Sequence, residues 1–241
     1  VSLMIDPIQT ALSGLNTSRL RSATTANNLA NLQTPGYKAQ RANSATGPTG
    51  DSVQISSVGR SLSQGSLRMT GNPMDVAITG NGFFQVQDGE GNTFYTRAGR
   101  FQLDANGNLV TAQGFTVDPG IIAPAGSKVS IGADGTVTAQ TGNGPSVAVG
   151  QIQLASFNNP EGLVLTGDGM AAATTASGPA TLGAPGTVGY GGLVSGFLES
   201  SNVDLVTEMV NQIVETHTYT ANVSVIRAAD EMNRETLNLL A

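Results

Sequence analysis

From the N-terminus, Ile5, Ile8, Leu12, Leu15, Arg19, Ser22, Ala26 and Leu29 follow one another at spacings of three and four. That period lines one face of a helix, with an apolar stripe that weakens after Leu15. Asp6 and Pro7 suit an N-cap and first helical position. Thr34-Pro35-Gly36 reads as the turn that ends the helix. From Val203 to Ala241 there is neither Gly nor Pro, and Val206, Val210, Ile213, His217, Ala221, Val225, Ala228, Met232 and Leu239 trace a second stripe. One long helix accounts for it, with Ser200, Ser201 or Asn202 as cap. At ~1.5 Å per residue it extends beyond about 50 Å, too long for a small domain to cover, so it needs a partner.

The middle has a different rhythm. Val76 to Ile78, Phe83 to Gln87, Thr93 to Thr96, Arg100 to Leu103 and Leu109 to Thr111 are short β-type runs. Gly80-Asn81-Gly82, Asp88 to Asn92 and Asp104 to Asn108 separate them with hairpin chemistry. Lys128 to Ile131, Thr136 to Gln140 and Val147 to Phe157 form a second group, with Asp134-Gly135 as a turn. The pattern predicts an antiparallel β domain. Ala39 to Gly65 and Gly167 to Gly192, rich in Ser, Thr, Gly, Ala and Pro, read as linkers or extended surface loops. The expected fold is α+β: residues 1–38 an N-terminal helix and turn, 39–63 a linker, 64–198 a central β-rich domain, and 199–241 a C-terminal helix.

Composition sharpens this. The 241 residues include 31 glycines and 10 prolines, together about 17% against the usual ~12%, which implies many turns and a thin core. Charged residues are 12%, about half the usual share, so the surface is built of neutral polar groups suited to packing against like neighbours. The net charge of -6 and eleven scattered basic residues argue against nucleic acid. The absence of cysteine excludes disulfides and thiolate chemistry and is compatible with export. Asp6, Pro7 and Gln9 interrupt any apolar run near the start, so no cleaved secretory signal is expected. No apolar window of about 18 residues predicts membrane insertion.

Candidate chemistry is sparse. His217 is the only histidine, so a nucleophile triad or an imidazole-based metal site would rest on it alone. Its place in the stripe of the last helix reads instead as packing or inter-subunit hydrogen bonding, and Glu215 nearby as a solvated helix residue. Asp104, Asn106 and Asn108 imitate a calcium loop, but Leu109 stands where that loop needs Gly and Phe115 where it needs Glu. Gly80-x-Gly82 leads into a strand rather than a helix N-terminus, so it is a turn and not a phosphate loop. No catalytic residue, cofactor or metal is expected.

Four stretches in order carry a resemblance: NNLANLQTPGYK at 27–38, QGSLRMTGNPMDVAITGNGFFQV at 64–86, YTRAGRFQLDANGNL at 95–109 and GFLESSNVDLVTEMVNQI at 196–213. Together they resemble the bacterial flagellar basal-body rod and hook family, most closely its distal-rod branch. The resemblance implies a non-enzymatic axial subunit whose terminal helices pair into a coiled-coil-like inner layer of a helical tube, with the β domain outside. It implies like copies and other rod and hook proteins as partners, with the surrounding rings as a further candidate. The implied location is the periplasm-spanning rod, reached without a cleaved signal, and the implied role is to carry torque from motor to hook. The implied interface takes Ile8, Leu12, Leu15, Ala26, Leu29, Thr34, Gly36 and Tyr37 from the N-terminal segment. From the last helix it takes Val206, Val210, Ile213, Val225 and Met232. The middle has room for one domain, unlike hook proteins with large outer domains, and 39–65 is shorter than the distal branch leads one to expect. A proximal rod or hook-type subunit is the near alternative, and a secreted β-rich adhesin or surface module the distant one.

Overall fold

The computed structural model describes residues 7–46, 52–167 and 169–240. The expected cap at Asp6 lies outside them, as does Ile5. The N-terminal periodicity forms helix α1, Pro7–Ala30, and the C-terminal one forms helix α2, Leu205–Leu240. At the end of α1 the Asn31 side chain donates to the Asn27 carbonyl at 2.9 Å, beside the bond that the Asn31 amide makes to the same oxygen at 3.2 Å. The cap of α2 is Asp204, not Ser200, Ser201 or Asn202: the Thr207 amide donates to Asp204 Oδ1 at 2.7 Å. Asn202 is engaged elsewhere, its amide group donating to the Ser63 carbonyl at 2.9 Å, and the helix starts later.

The chain forms two compact units. The first takes the described residues up to Leu32, those of Ala39–Ser61 and those from Val203 onward. Besides the helices it holds strands β1, Gln40–Thr46, and β2, Val53–Arg60, an antiparallel pair running from Gln40↔Arg60 to Thr46↔Val53 with a bulge at Asn43/Ser44. The segment expected as a linker is therefore a ribbon. Its Ser, Thr and Gln side chains carry no apolar alternation, because the backbone ladder rather than a buried face holds it.

The second unit comprises Gln33–Lys38 and Leu62–Asn202. Its strands are β3 (Leu67–Met69), β4 (Val76–Thr79), β5 (Phe83–Gln87), β6 (Thr93–Thr96), β7 (Phe101–Leu103), β8 (Leu109–Thr111), β9 (Thr116–Val117), β10 (Ser127–Ile131), β11 (Thr136–Thr141), β12 (Ser146–Gln151), β13 (Leu154–Ser156), β14 (Val164–Gly167), β15 (Met170–Ala172), β16 (Thr181–Gly183), β17 (Gly192–Ser195) and β18 (Phe197–Glu199). The main sheet runs β14-β15-β6-β5-β9-β8-β7, with β13 bridging β5 and β16. A three-stranded sheet runs β10-β11-β12, and β4–β17 and β3–β18 form two ribbons. Every pairing is antiparallel. Val147 to Phe157 is two strands rather than one. The chain leaves the three-stranded sheet at Gln151, buries Ile152 and joins the main sheet at Leu154. The 167–192 stretch likewise contributes β15 and β16, which composition alone reads as loop.

The core sits between the sheets. Val76, Ile78, Phe84, Val86, Phe101, Leu109, Val117, Ile152 and Leu154 are all fully buried or nearly so, and Phe84 meets Phe101 edge-on at 5.0 Å. The hairpin turns are held by their own carboxylates. Asp104 Oδ1 accepts from the Asn106 and Asn108 amides, and Oδ2 from the Asn108 side chain. These bonds, the Asn108 side chain first, hold its carboxyl below the usual range. Asp88 closes its turn the same way with Glu90 and Asn92.

Candidate assembly surface

The two helices meet through polar and small side chains. Asn28 Nδ2 donates to Glu208 Oε1 at 2.9 Å, Gln212 Nε2 to Ser22 Oγ at 3.0 Å, and Arg21 pairs with Glu215 at 3.4 Å. Gly14 lies so close to Asn222 that a β-carbon there would stand 2.7 Å from its Nδ2. As α1 is followed backwards the partners advance along α2, so the helices are antiparallel. Positions 11, 14, 18, 21, 25 and 28 alternate spacings of three and four, and so do 208, 212, 215, 219, 222, 226 and 229. The spacing is that of a heptad seam, but its occupants are Ala, Gly, Ser, Thr, Asn, Gln, Glu and Arg more than Leu or Ile.

The apolar stripes lie on other faces. Leu12 and Leu29 are exposed and Ala26 with them, while Ile8 and Leu15 are half-buried. On α2, Val206 is 69% exposed, Ile213 56% and Met232 62%, and Val210 and Val225 are exposed too. Met209, Val214 and Leu239 enlarge this surface. In the whole helical unit, the buried apolar residues among those described are Ala11, Ala39, Val203 and Ala229. His217 is exposed rather than packed. Glu215, expected as solvated, is buried against α1 through its pair with Arg21, because it falls on the seam and not on the outer face.

The ribbon completes this unit by gripping α1. Thr17 Oγ1 donates to the Val53 carbonyl, the Val53 amide to Ser13 Oγ, and Arg21 Nη2 to Ser44 Oγ. Asn28, almost wholly buried, acts as a surrogate strand residue: Nδ2 donates to the Gln40 carbonyl at 2.9 Å and Oδ1 accepts the Gln40 amide at 2.8 Å. Asn28 lies in the 27–38 stretch, whose spacing alone assigns it no strand-like role. The available signal was a pair of asparagines in a helix interior, where propensity disfavours them.

The Thr34-Pro35-Gly36-Tyr37-Lys38 turn is anchored inside the second unit. Gly36 has φ +71°, and a β-carbon there would meet the Arg97 carbonyl carbon at 2.5 Å, so only glycine fits. Its amide donates to the Glu199 carbonyl at 2.8 Å, and the buried Tyr37 accepts from the Asn202 amide at 3.4 Å. Thr34 is half-buried beside it. Lys38 Nζ donates to Glu199 Oε1 at 2.6 Å and to the Ser63 carbonyl at 2.8 Å, and Glu199 Oε1 also accepts the Gly65 amide. Arg97 lies over the Phe83 ring at 5.2 Å with Nη1 3.6 Å from Glu199 Oε2. Burial pushes the Lys38 ammonium below its ordinary value, against the hydrogen bond and charge of Glu199. Thr34, Gly36 and Tyr37 are thus held within the β unit, unlike the exposed helix residues. The ions that fasten them, Lys38, Arg97 and Glu199, are separated too widely in sequence for spacing to reveal.

Three family models match the chain. Residues 8–38 match the flagella basal body rod protein, 77–139 the flagellar hook protein FlgE/F/G D1 domain, and 194–239 the flagellar basal body rod FlgEFG protein C-terminal. The flagellar basal-body rod protein FlgG of Agrobacterium fabrum is 38% identical over 92% of this chain and 94% of its own length. The FlgG of Caulobacter vibrioides is 38% identical over 96% and 98%. The flagellar basal-body rod protein FlgF of Escherichia coli is 34% identical over 93% and 94%.

Proposed function

Because the chain belongs to the flagellar basal-body rod protein family, we propose that its uncovered helix faces are where sibling copies stack to build the rod as a helical tube. It is a structural subunit of the flagellar basal body, not an enzyme, and its partners are other axial rod and hook proteins. No helix among the described residues is long and apolar enough to cross a membrane.

One observation carries the reading: the helices spend their polar groups on each other and leave Leu12, Val206, Val210, Ile213, Val225 and Met232 to solvent. Monomeric proteins rarely expose contiguous apolar surface of this kind. Burying one such side chain fully contributes about 1.5 to 3 kcal/mol. Neighbouring copies supply that cover, forming a coiled-coil-like inner layer through Ile8, Leu12, Leu15, Ala26 and Leu29 with Val206, Val210, Ile213, Val225 and Met232. A head-to-tail contact that does not close generates a tube, which carries torque from motor to hook. A distal place in the rod is favoured by FlgG relatives that reach 38% identity, although FlgG of Bacillus subtilis and FlgF of Escherichia coli both stand at 34%. The surrounding ring proteins are further partners. The chain travels unfolded through the flagellum's own export channel, a route that a chain without cysteine follows without mispairing.

Electron microscopy of the purified full chain at high concentration tests this. Wild type is expected to form filaments of tube-like diameter, whereas Leu12→Ala and Ile213→Ala stay unpolymerised with an unchanged near-ultraviolet signal from the β unit. Normal filaments from both variants overturn the reading.

A further inference from the structure

Beside the ionic cluster of the β unit lies a cavity of about 150 Å³, lined by Lys38, Asn81, Phe83, Arg97, Ser156 and Phe157 among others. At about 30 Å³ per water it has room for one small group with a few waters and none for a nucleotide. Its charged and polar side chains all offer hydrogen-bond donors: an ammonium, a guanidinium, a carboxamide and a hydroxyl. No carboxylate lines it. Behind the wall, the single carboxylate of Glu199 is shared between two cations. Its Oε1 is taken by Lys38 and Gly65, and its Oε2 stands 3.6 Å from Arg97 Nη1, beyond hydrogen-bond reach. Among the described residues, Arg97 Nε and Nη1 have no hydrogen-bond partner, nor has the Glu199 Oε2 that faces Nη1, although the Arg97 side chain is only 7% exposed. The cluster holds one more positive than negative charge, and buried charge is costly unless paired.

We propose that this cavity is a receptor for one carboxylate group, which supplies the missing negative charge beside Arg97 while Phe83 and Phe157 enclose its carbon. Two sources share that chemistry: an Asp or Glu side chain of a neighbouring copy, and a free small carboxylate. The chain carries 17 acidic against 11 basic residues, so its copies present carboxylates in excess.

The test is thermal unfolding of the full chain in sodium acetate against sodium chloride at equal ionic strength. Acetate is expected to raise the midpoint by about 2 °C or more over chloride, and Arg97→Gln to abolish that difference. Asn81→Asp places a carboxylate on the cavity wall, and it is expected to raise the midpoint in chloride and blunt the acetate response. This second variant keeps the test sharp if Arg97→Gln fails to fold. An acetate effect no larger than that of chloride overturns the proposal, and so does an Asn81→Asp chain with a lower midpoint and a full acetate response. The source is read from polymerisation. Acetate that raises the protein concentration required for filaments identifies a neighbour's side chain as the natural donor. Acetate that leaves it unchanged identifies a free carboxylate.

Discussion

The β unit and the helical unit handle apolar side chains in opposite ways. In the β unit Phe84, Phe101, Ile78, Leu109 and Leu154 are sealed inside, and the turns between strands are closed by their own aspartates. In the helical unit the interior is Ala, Gly, Ser, Thr and Asn, and Val206, Ile213 and Met232 stand outside. A sealed core makes a unit that needs no neighbour, because its hydrophobic stabilisation is already realised. The reverse arrangement holds itself by hydrogen bonds, each contributing a net ~1 kcal/mol, and leaves its large apolar side chains uncovered.

The contrast can be broken most forcefully in the β core. Phe84→Ala is expected to cost about 3 to 5 kcal/mol, read as a lowered midpoint in chemical denaturation. Ile213→Ala, an equally apolar truncation on an exposed helix face, should stay within about 0.5 kcal/mol by the same measurement. Similar losses in both places would erase the distinction. Next in size is Gly36→Val, which forces a β-branched residue into φ +71° against the Arg97 backbone. A loss of about 1 to 3 kcal/mol is expected, and Gly36→Ala should show a smaller loss with the same sign. Asn28→Ala should cost about 1 to 3 kcal/mol by stranding both backbone groups of Gln40. Hydrogen exchange would locate that loss in α1 and the β1–β2 ribbon and leave the β unit protected.

The smallest effect is a pH dependence. Thr207, through its backbone amide first and then its side chain, holds the Asp204 carboxyl below the usual range. A group with a depressed folded value contributes stability that is complete above its unfolded value and fades as pH falls through the folded one. Exchange protection in the first turn of α2 is therefore expected to hold down to about pH 4 and to decline below it. Asp204→Asn should flatten that decline.

The same contrast explains what the sequence made legible. The β-type run of Phe83 to Gln87 and the turn chemistry of Asp88 to Asn92 are local signals, and the strands stand where those signals put them. The helices were equally plain, since a 3.6-residue period with Gly and Pro excluded leaves little choice. The face that joins them was harder to see. Apolar periodicity marks Leu12 and Ile213, whereas the joining face is set by complementary hydrogen bonds between Ser22 and Gln212 or Asn28 and Glu208, residues far apart in sequence and unremarkable alone. Glu215 was misread as solvated for that reason. The ribbon at Gln40–Arg60 escaped because its strands bury almost nothing and so leave no pattern of alternation.

The clasp between Asn202 and Ser63 spans 139 residues of chain and lies wholly within the β unit. Closing a loop of that length costs on the order of 4 kcal/mol in chain entropy. The β unit meets that cost out of its own compact core, and the ends of the polypeptide inherit the result. Ser22 and Gln212, 190 positions apart on paper, then search for each other as if joined by a short tether. Whenever this chain folds from an extended state, closure of the β unit brings its two tails into reach before any second molecule is present.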